Sequence, residues 1–283
     1  ANAIYLLTLI KFGLIGISTA TLLRKVYEKL SWSFVLLLST SYAMMSFTVT
    51  QLGFSTWLDV FIVVPLILLG LHNLITGKGK KLYFFTLVAL FIQNFYFGFM
   101  MALFLVLWFL TQLSWDFENR KKRSIDFLVV SGLAGLTSAI MLLPTIYDLT
   151  THGQSTSVIT RWTMEDAWYF DFFAKNFVGA YDTLKYHSLP MIYVGLLPFL
   201  LMFVFFTLKS ISVRVKASYA LLVFALFISF YILPLNLLWQ GMHAPNMFLH
   251  RYAWVFTTIV LLMAAEVLSR VKELDEKRIL YPT

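Results

Sequence analysis

GKGKKLYFFTLVALFIQNFYFGFMMALFLVLWFLTQLSWDFENRKKR, residues 77 to 123, decides how this chain is built. An unbroken apolar run, Leu82 to Leu113, sits between two clusters of positive charge. As one straight helix at 1.5 Å per residue the run is about 48 Å long, well beyond a bilayer hydrocarbon core of roughly 30 Å. Clusters of lysine and arginine mark loops on the cytoplasmic side of a membrane, so both ends of the run belong on the same side. The run therefore crosses twice or re-enters, and the polar pair Gln93-Asn94, followed by the aromatic Phe95-Tyr96-Phe97-Gly98, is where it turns. Non-helical backbone at membrane depth is tolerated where it lines a cavity. The turn is thus expected to face a water-filled site.

The rest of the sequence repeats the pattern. Of 283 residues, 60% are hydrophobic and only 13% charged, with a mean hydropathy of +0.79, whereas about a quarter of a soluble domain is charged. Apolar stretches at 3–22, 32–50, 54–74, 125–143, 191–208, 217–236 and 252–268 each approach the ~20 residues of a membrane-crossing helix. With two segments between Leu82 and Leu113, the expectation is an all-α polytopic protein of about nine membrane segments. It forms a single transmembrane domain over 1–283, with one large external loop at 144–190. Within that loop, Trp162 to Phe177 reads as an amphipathic helix lying on the outer interface. The net charge of +8 comes from loops that flank spans, so orientation explains it and nucleic acid is not implied. There is no cysteine, hence no disulfide framework or thiolate chemistry. Ala1 leads straight into a span without a signal-peptide pattern, and residues are expected to precede it in the native gene product.

Five cations fall outside the basic loops: Lys11, Arg161, Lys175, Lys185 and Arg251. Lys11 lies about 12 Å into the first span at helical rise. Thr8, Lys11 and Ser18 share one stripe, and an intramembrane lysine is costly enough to be a functional candidate, here for an anion. Arg251 heads the last span, where a guanidinium can grip a phosphate through two parallel hydrogen bonds. Together the two form a candidate external phosphate pocket. Asp59 sits about one and a half turns below the outer surface beside Trp57, open between base, hydroxyl-binding group and structural counter-ion. Asn94 and Tyr96 are candidate sugar or phosphate hydrogen-bonders, or caps of a broken helix. No glycine-rich phosphate loop, HExxH, GxSxG or metal-spaced cluster occurs among the scattered histidines, so neither a metal nor another cofactor is indicated.

Taken together, LLTLIKFGLIGIS (Leu6 to Ser18), QLGFSTWLDVFIVVPLILLGL (Gln51 to Leu71), QNFYFGFMMALF (Gln93 to Phe104), LLPTIYDLT (Leu142 to Thr150), LPMIYVGLLPF (Leu189 to Phe199) and LLWQGMHAPNMFLHRYAWVF (Leu237 to Phe256) resemble the bacterial YfhO family. That family is similar to the GT-C class of polytopic glycosyltransferases. The resemblance implies Lys11, Asp59, Asn94, Tyr96, Tyr193, Trp239, Pro245, Asn246 and Arg251 as family-pattern positions. It further implies transfer, outside the cell, of a sugar from a polyprenyl-phosphate carrier to an envelope polymer such as lipoteichoic or wall teichoic acid. Catalysis falls to Asp59 or to an acidic external segment upstream of Ala1. Lys11, Arg251, Asn94, Tyr96, Trp57, Tyr193 and Asn246 bind substrate. The implied setting is a bacterial cell membrane with its active face outward, served by a sugar-carrier synthase and a flippase. Two other readings fit the same residues: a transporter or flippase for lipid-linked sugars, and a non-catalytic membrane partner in envelope assembly.

Overall fold

The computed structural model describes residues 2–115, 119–152, 157, 159, 161–164, 171–177, 190–245 and 248–271. These residues are helical apart from connections and one isolated β-bridge, Thr163 to Ile232. The helices are α1 (Asn2–Val26), α2 (Trp32–Ala43), α3 (Ser46–Thr50), α4 (Ser55–Thr76), α5 (Lys81–Gln93), α6 (Phe95–Leu113), α7 (Arg120–Thr137), α8 (Ala139–His152), α9 (Asp171–Ala174), α10 (Leu196–Thr207), α11 (Val213–Tyr231), α12 (Leu233–Trp239) and α13 (Ala253–Leu268).

The turn expected at Gln93-Asn94 is there, and its cause is local. Asn94 takes an extended conformation (φ −154°, ψ 96°), which ends α5, and its Oδ1 accepts a hydrogen bond from the Phe97 N–H at 3.1 Å, which starts α6. An asparagine that leaves one helix and caps the next turns the chain within a single residue. At the other end of α5, Gly77 closes α4 in the left-handed region (φ 80°) and its N–H reaches the carbonyls of Asn73 and Leu74. The α4 and α5 backbones then approach closely at Gly70, where an added Cβ would stand 2.5 Å from the Tyr83 backbone nitrogen.

Side-chain contacts fix the helix directions. Lys11, in the first half of α1, meets Asp59 near the start of α4, while Tyr27, just after α1, donates to the Leu262 carbonyl late in α13. Trp108 late in α6 packs edge to face on Tyr219 early in α11 at 5.5 Å. Thus α1, α4, α6, α10 and α13 run one way, and α2, α5, α7 and α11 run back. This alternation follows the basic loops, which gather at one end of the bundle, called here the basic end.

By length and composition, five helices are long and apolar enough to cross a membrane, or six if the α7–α8 pair is one broken span. The expected count of nine is therefore not reached by helices of spanning length: α5, α10 and α13 have 13, 12 and 16 residues. The last of these shows why. Every residue of α13 except Glu266 is buried, and a helix apolar on all faces is one enclosed by protein. Two further boundaries differ from expectation. The segment read as 125–143 is α7 followed by α8 at a bend of 72°, and α8 continues through Pro144 to His152. Of the segment expected to form an interfacial helix, Trp162 to Met164 pairs with the α11–α12 junction through the Met164 N–H to Tyr231 and the Leu233 N–H to Trp162, Asp171–Ala174 is helical as α9, and residues 165–170 lie outside the described residues. Isoleucine and proline at that junction open α11's last turn and leave backbone groups that need a partner. Further on, Phe172 buries its ring against Phe227 and Phe256. Glu165, Asp166, Trp168, Tyr169, Tyr181, Asp182, Lys185 and His187 of this loop lie outside the described residues.

The close approach at Gly70 gives a direct test. Gly70→Ala must push α5 off α4 and is expected to cost about 1–3 kcal/mol, read as a lower apparent melting midpoint of the detergent-solubilised protein. Gly13→Ala, with nothing within 4 Å of the added Cβ, should leave the midpoint in place.

Candidate functional site

The end opposite the basic loops carries the residues singled out in the sequence, and α4 separates them into two groups. Ser55 and Asp59 are one turn apart on one face of α4, and Lys11 of α1 lies against them. Its Nζ is 2.7 Å from Asp59 Oδ1 and 2.8 Å from Oδ2, and it also donates to the Ser55 carbonyl at 2.9 Å and to Ser55 Oγ at 3.1 Å. All three ammonium hydrogens thus have acceptors, which offsets the cost of enclosing a lysine that is only 11% exposed along its side chain. Of the three roles open to Asp59, this geometry favours counter-ion to Lys11.

Trp57, two residues from each of them, points about 200° around the helix axis, toward Arg251. The Arg251 guanidinium carbon lies 5.8 Å from the Trp57 ring centroid and 5.3 Å from that of Tyr96. Both fall within the ~6 Å reach of cation–π attraction. So the structure brings together Arg251, Trp57 and Tyr96, and separately Lys11, Ser55 and Asp59. Lys11 contacts Ser55 and Asp59 while Arg251 contacts Trp57, so the two cations engage different faces of α4. The joint phosphate pocket read from the sequence is two places.

Each ring around Arg251 is itself held. Trp57 stacks on Phe54 at 4.9 Å and meets the edge of Phe97 at 5.2 Å. Tyr96 donates its hydroxyl to Gln240 Oε1 at 3.3 Å. Gln240 is buried and donates in turn to Asn236 Oδ1 at 2.6 Å and to the Leu249 carbonyl at 2.8 Å, which fixes which way its amide faces. Asn236 hydrogen-bonds His250 Nδ1 at 2.9 Å and the Tyr252 hydroxyl at 3.1 Å, and Tyr252 donates to the Ser229 carbonyl at 2.6 Å. Trp239 stacks on Tyr252 at 5.2 Å and donates to Ser229 Oγ at 3.2 Å. This network went unread in the sequence. Its signal was Asn236 and Gln240, one turn apart in the otherwise apolar LPLNLLWQ.

Asn94 is placed as the cap of α6, two residues before Tyr96. Tyr193 ties chain to chain through its backbone: its N–H donates to Ser46 Oγ at 3.1 Å and its carbonyl accepts from the Ser46 N–H at 2.8 Å. Asn246 lies outside the described residues. Around Arg251 three helices begin: α4 with Trp57 in its first turn, α6 with Tyr96 at its second position, and α13 two residues after Arg251 itself. Helix N-termini carry partial positive charge. A guanidinium seated among three of them makes an anion-favouring field.

With that geometry in view, the comparison with known families is decisive: the model for the bacterial membrane protein YfhO matches residues 1–283, the whole chain. The chain belongs to the YfhO family. Among curated proteins and among solved structures, none matches it. The resemblance carried by the six sequence segments thus holds for the family, and the Arg251 cluster of this YfhO chain draws on three of them: Trp57, Tyr96 and the Trp239 to Arg251 stretch.

The Lys11–Asp59 pair lends itself to a double-mutant cycle. Lys11→Met leaves a half-enclosed carboxylate without its cation and should destabilise the protein by about 1–3 kcal/mol, the Asp59 side chain being 29% exposed. Adding Asp59→Asn should restore most of that loss in the apparent melting midpoint. Additive losses would show that the two side chains do not act as a pair.

Proposed function

We propose that this chain transfers a sugar from a polyprenyl-phosphate carrier to an acceptor hydroxyl of an envelope polymer, such as lipoteichoic or wall teichoic acid, at the end of the bundle opposite the basic loops. The observation that carries the reading is Arg251, positioned by Trp57 and Tyr96 at the meeting of three helix N-termini. In the reaction the acceptor oxygen bonds to the anomeric carbon while the bond from that carbon to the phosphate oxygen breaks, and the electron pair stays on the phosphate. Negative charge grows on the leaving phosphate, and fixed positive groups aimed at it lower the barrier most where they need no rearrangement. Arg251 supplies the full charge and the helix ends supply partial ones. Such a leaving group does not require a metal.

The proton of the attacking hydroxyl passes to a carboxylate. Asp59 binds the Lys11 ammonium through both oxygens on the other side of α4, which suits it to anchor the start of α4 and to hold a sugar or acceptor hydroxyl by its exposed edge. In this reading the active face is outside the cell, since the basic loops lie on the cytoplasmic side.

A second reading, passage of a lipid-linked sugar through the bundle, draws on a different observation: polar side chains line a cavity at the basic end too, the buried Gln112 and the half-buried Glu266 among them. The two readings part on chemistry. With purified protein and a radiolabelled polyprenyl-phosphate sugar on the side opposite the basic loops, transfer to added acceptor is expected without movement of donor across the bilayer.

Arg251→Ala should remove sugar decoration of the surface polymer while membrane insertion is kept, and Arg251→Lys should retain only about a tenth or less of it, because an ammonium lacks the planar stacking face and the paired hydrogen bonds. Mass analysis of the polymer from cells carrying each variant checks this, and full decoration in Arg251→Ala would remove the basis of the assignment.

A further inference from the structure

At the basic end the same helices enclose a cavity of about 220 Å³, room for about seven water molecules. Sugar transfer at the other end makes no use of it. Its walls are the rings of Tyr27, Trp108, Trp115 and Tyr219, and its polar groups include Gln112 and Glu266. The rings form a corner. Trp115 and Tyr219 lie nearly parallel at 24°, and Trp108 stands across both, at 83° and 73°. The rings pack on one another edge to face and stacked, and any ring face left uncovered toward the cavity offers its negative quadrupole to a cation, as in cages that bind alkylated ammonium groups.

Charge points the same way. Glu266 is the single exception to burial in α13 and the one carboxylate lining the cavity. Arg270, one turn on, is paired with its Oε1, and among the described residues its second oxygen accepts no hydrogen bond. The lining contains no lysine or arginine. It is also where α1, α6 and α13 end, at Val26, Leu113 and Leu268, and helix C-termini carry partial negative charge. Burial, reinforced by the neighbouring Tyr219 and Glu266, pushes the Tyr27 phenol well above its usual value, so it stays a neutral donor, bonded to the Leu262 carbonyl. An adjoining cavity of about 290 Å³ shares Trp115, Tyr219 and Glu266 and reaches the surface at the exposed Ser210 and Ser212, with Arg270 on its wall.

We propose that this cavity is a binding site for an organic ammonium cation, with its charge on Glu266 and its alkyl groups against Trp108, Trp115 and Tyr219. The cation enters past Ser210 and Ser212 and competes with Arg270 for the carboxylate. An ethanolamine phospholipid headgroup and a free soluble amine share this chemistry. The site is independent of the sugar-transfer reading.

The test uses the full chain in nanodiscs of phosphatidylglycerol, titrated calorimetrically with tetramethylammonium and with ethanolamine, and with glucose as a neutral polyol. Saturable binding of an ammonium probe is expected. Glu266→Gln should weaken it about tenfold or more through loss of a charge-assisted contact, and Trp108→Leu should weaken tetramethylammonium more than ethanolamine. Arg270→Ala should tighten binding by freeing the carboxylate, a gain that misfolding cannot produce. In nanodiscs that also contain phosphatidylethanolamine, native mass spectrometry separates the sources. Retention of that lipid by the wild type and its loss in Glu266→Gln assigns a headgroup. Binding of free ethanolamine without lipid retention assigns a soluble amine. Absence of saturable ammonium binding, binding unchanged in Glu266→Gln, or preference for glucose would overturn the proposal.

Discussion

Enclosure of α13 is the constraint on which the other arrangements rest. A sixteen-residue helix buried at every position but Glu266 cannot form one side of a bundle against water, and at 1.5 Å per residue it reaches only about 24 Å, short of the hydrocarbon core. The helix is instead wrapped by its neighbours: Tyr42 of α2 at Thr258, Phe61 of α4 and Phe104 of α6 at Trp254, and Phe230 of α11 at Phe256. Without a hydrophobic force between helices in lipid, such contacts stabilise through close packing and shared hydrogen bonds. Thr257 and Thr258 illustrate the second, each returning its hydroxyl to the Trp254 carbonyl, which gives both buried hydroxyls a partner. Once α13 is central, its two ends become the two places where function can concentrate. Arg251 stands before its first turn and Glu266 in its last.

The sequence revealed the turn at Asn94 because a polar pair inside a long apolar run has few alternatives, and charge on both flanks demanded a return. It revealed the direction of the helices for the same reason. It did not reveal that the last span is wrapped by protein, since leucine, valine and phenylalanine serve equally against lipid tails and against one another. Nor did it reveal where helix α8 ends. Pro144 reads as a stop, but its missing N–H frees only the Ile140 carbonyl, and the chain places its bend at Ser138, six residues earlier.

The site was legible residue by residue and illegible as an arrangement. Trp57, Tyr96 and Arg251 each stood out, and the structure unites them across long stretches of chain. Lys11 and Arg251 also stood out, and the structure keeps them apart. That separation was open to calculation: Ser55 and Asp59 lie one turn apart, so a lysine that reaches both leaves Trp57 on the opposite side of α4. What no spacing within α4 could supply was the partner on the far side. Arg251 meets Tyr96 because Asn94 restarts the helix just before it, and Tyr96 is held by Gln240, buried one turn after Asn236, whose Oε1 accepts a hydrogen bond from its hydroxyl.

A bundle in which α1, α4, α6, α10 and α13 point in one direction is electrically polar even where its side chains are not. Each helix end carries roughly half an elementary charge, and at the Arg251 end three N-termini meet, while at the Glu266 end three C-termini meet. The antiparallel α2, α5, α7 and α11 offset much of this field in the body of the bundle. Each aligned end is worth about 0.3–1 kcal/mol to a neighbouring charge of the right sign, and more when water is kept away. The same backbone order therefore favours an anion above α13 and a cation below it. Arg251 sharpens the first preference with a fixed charge, and Glu266 sharpens the second.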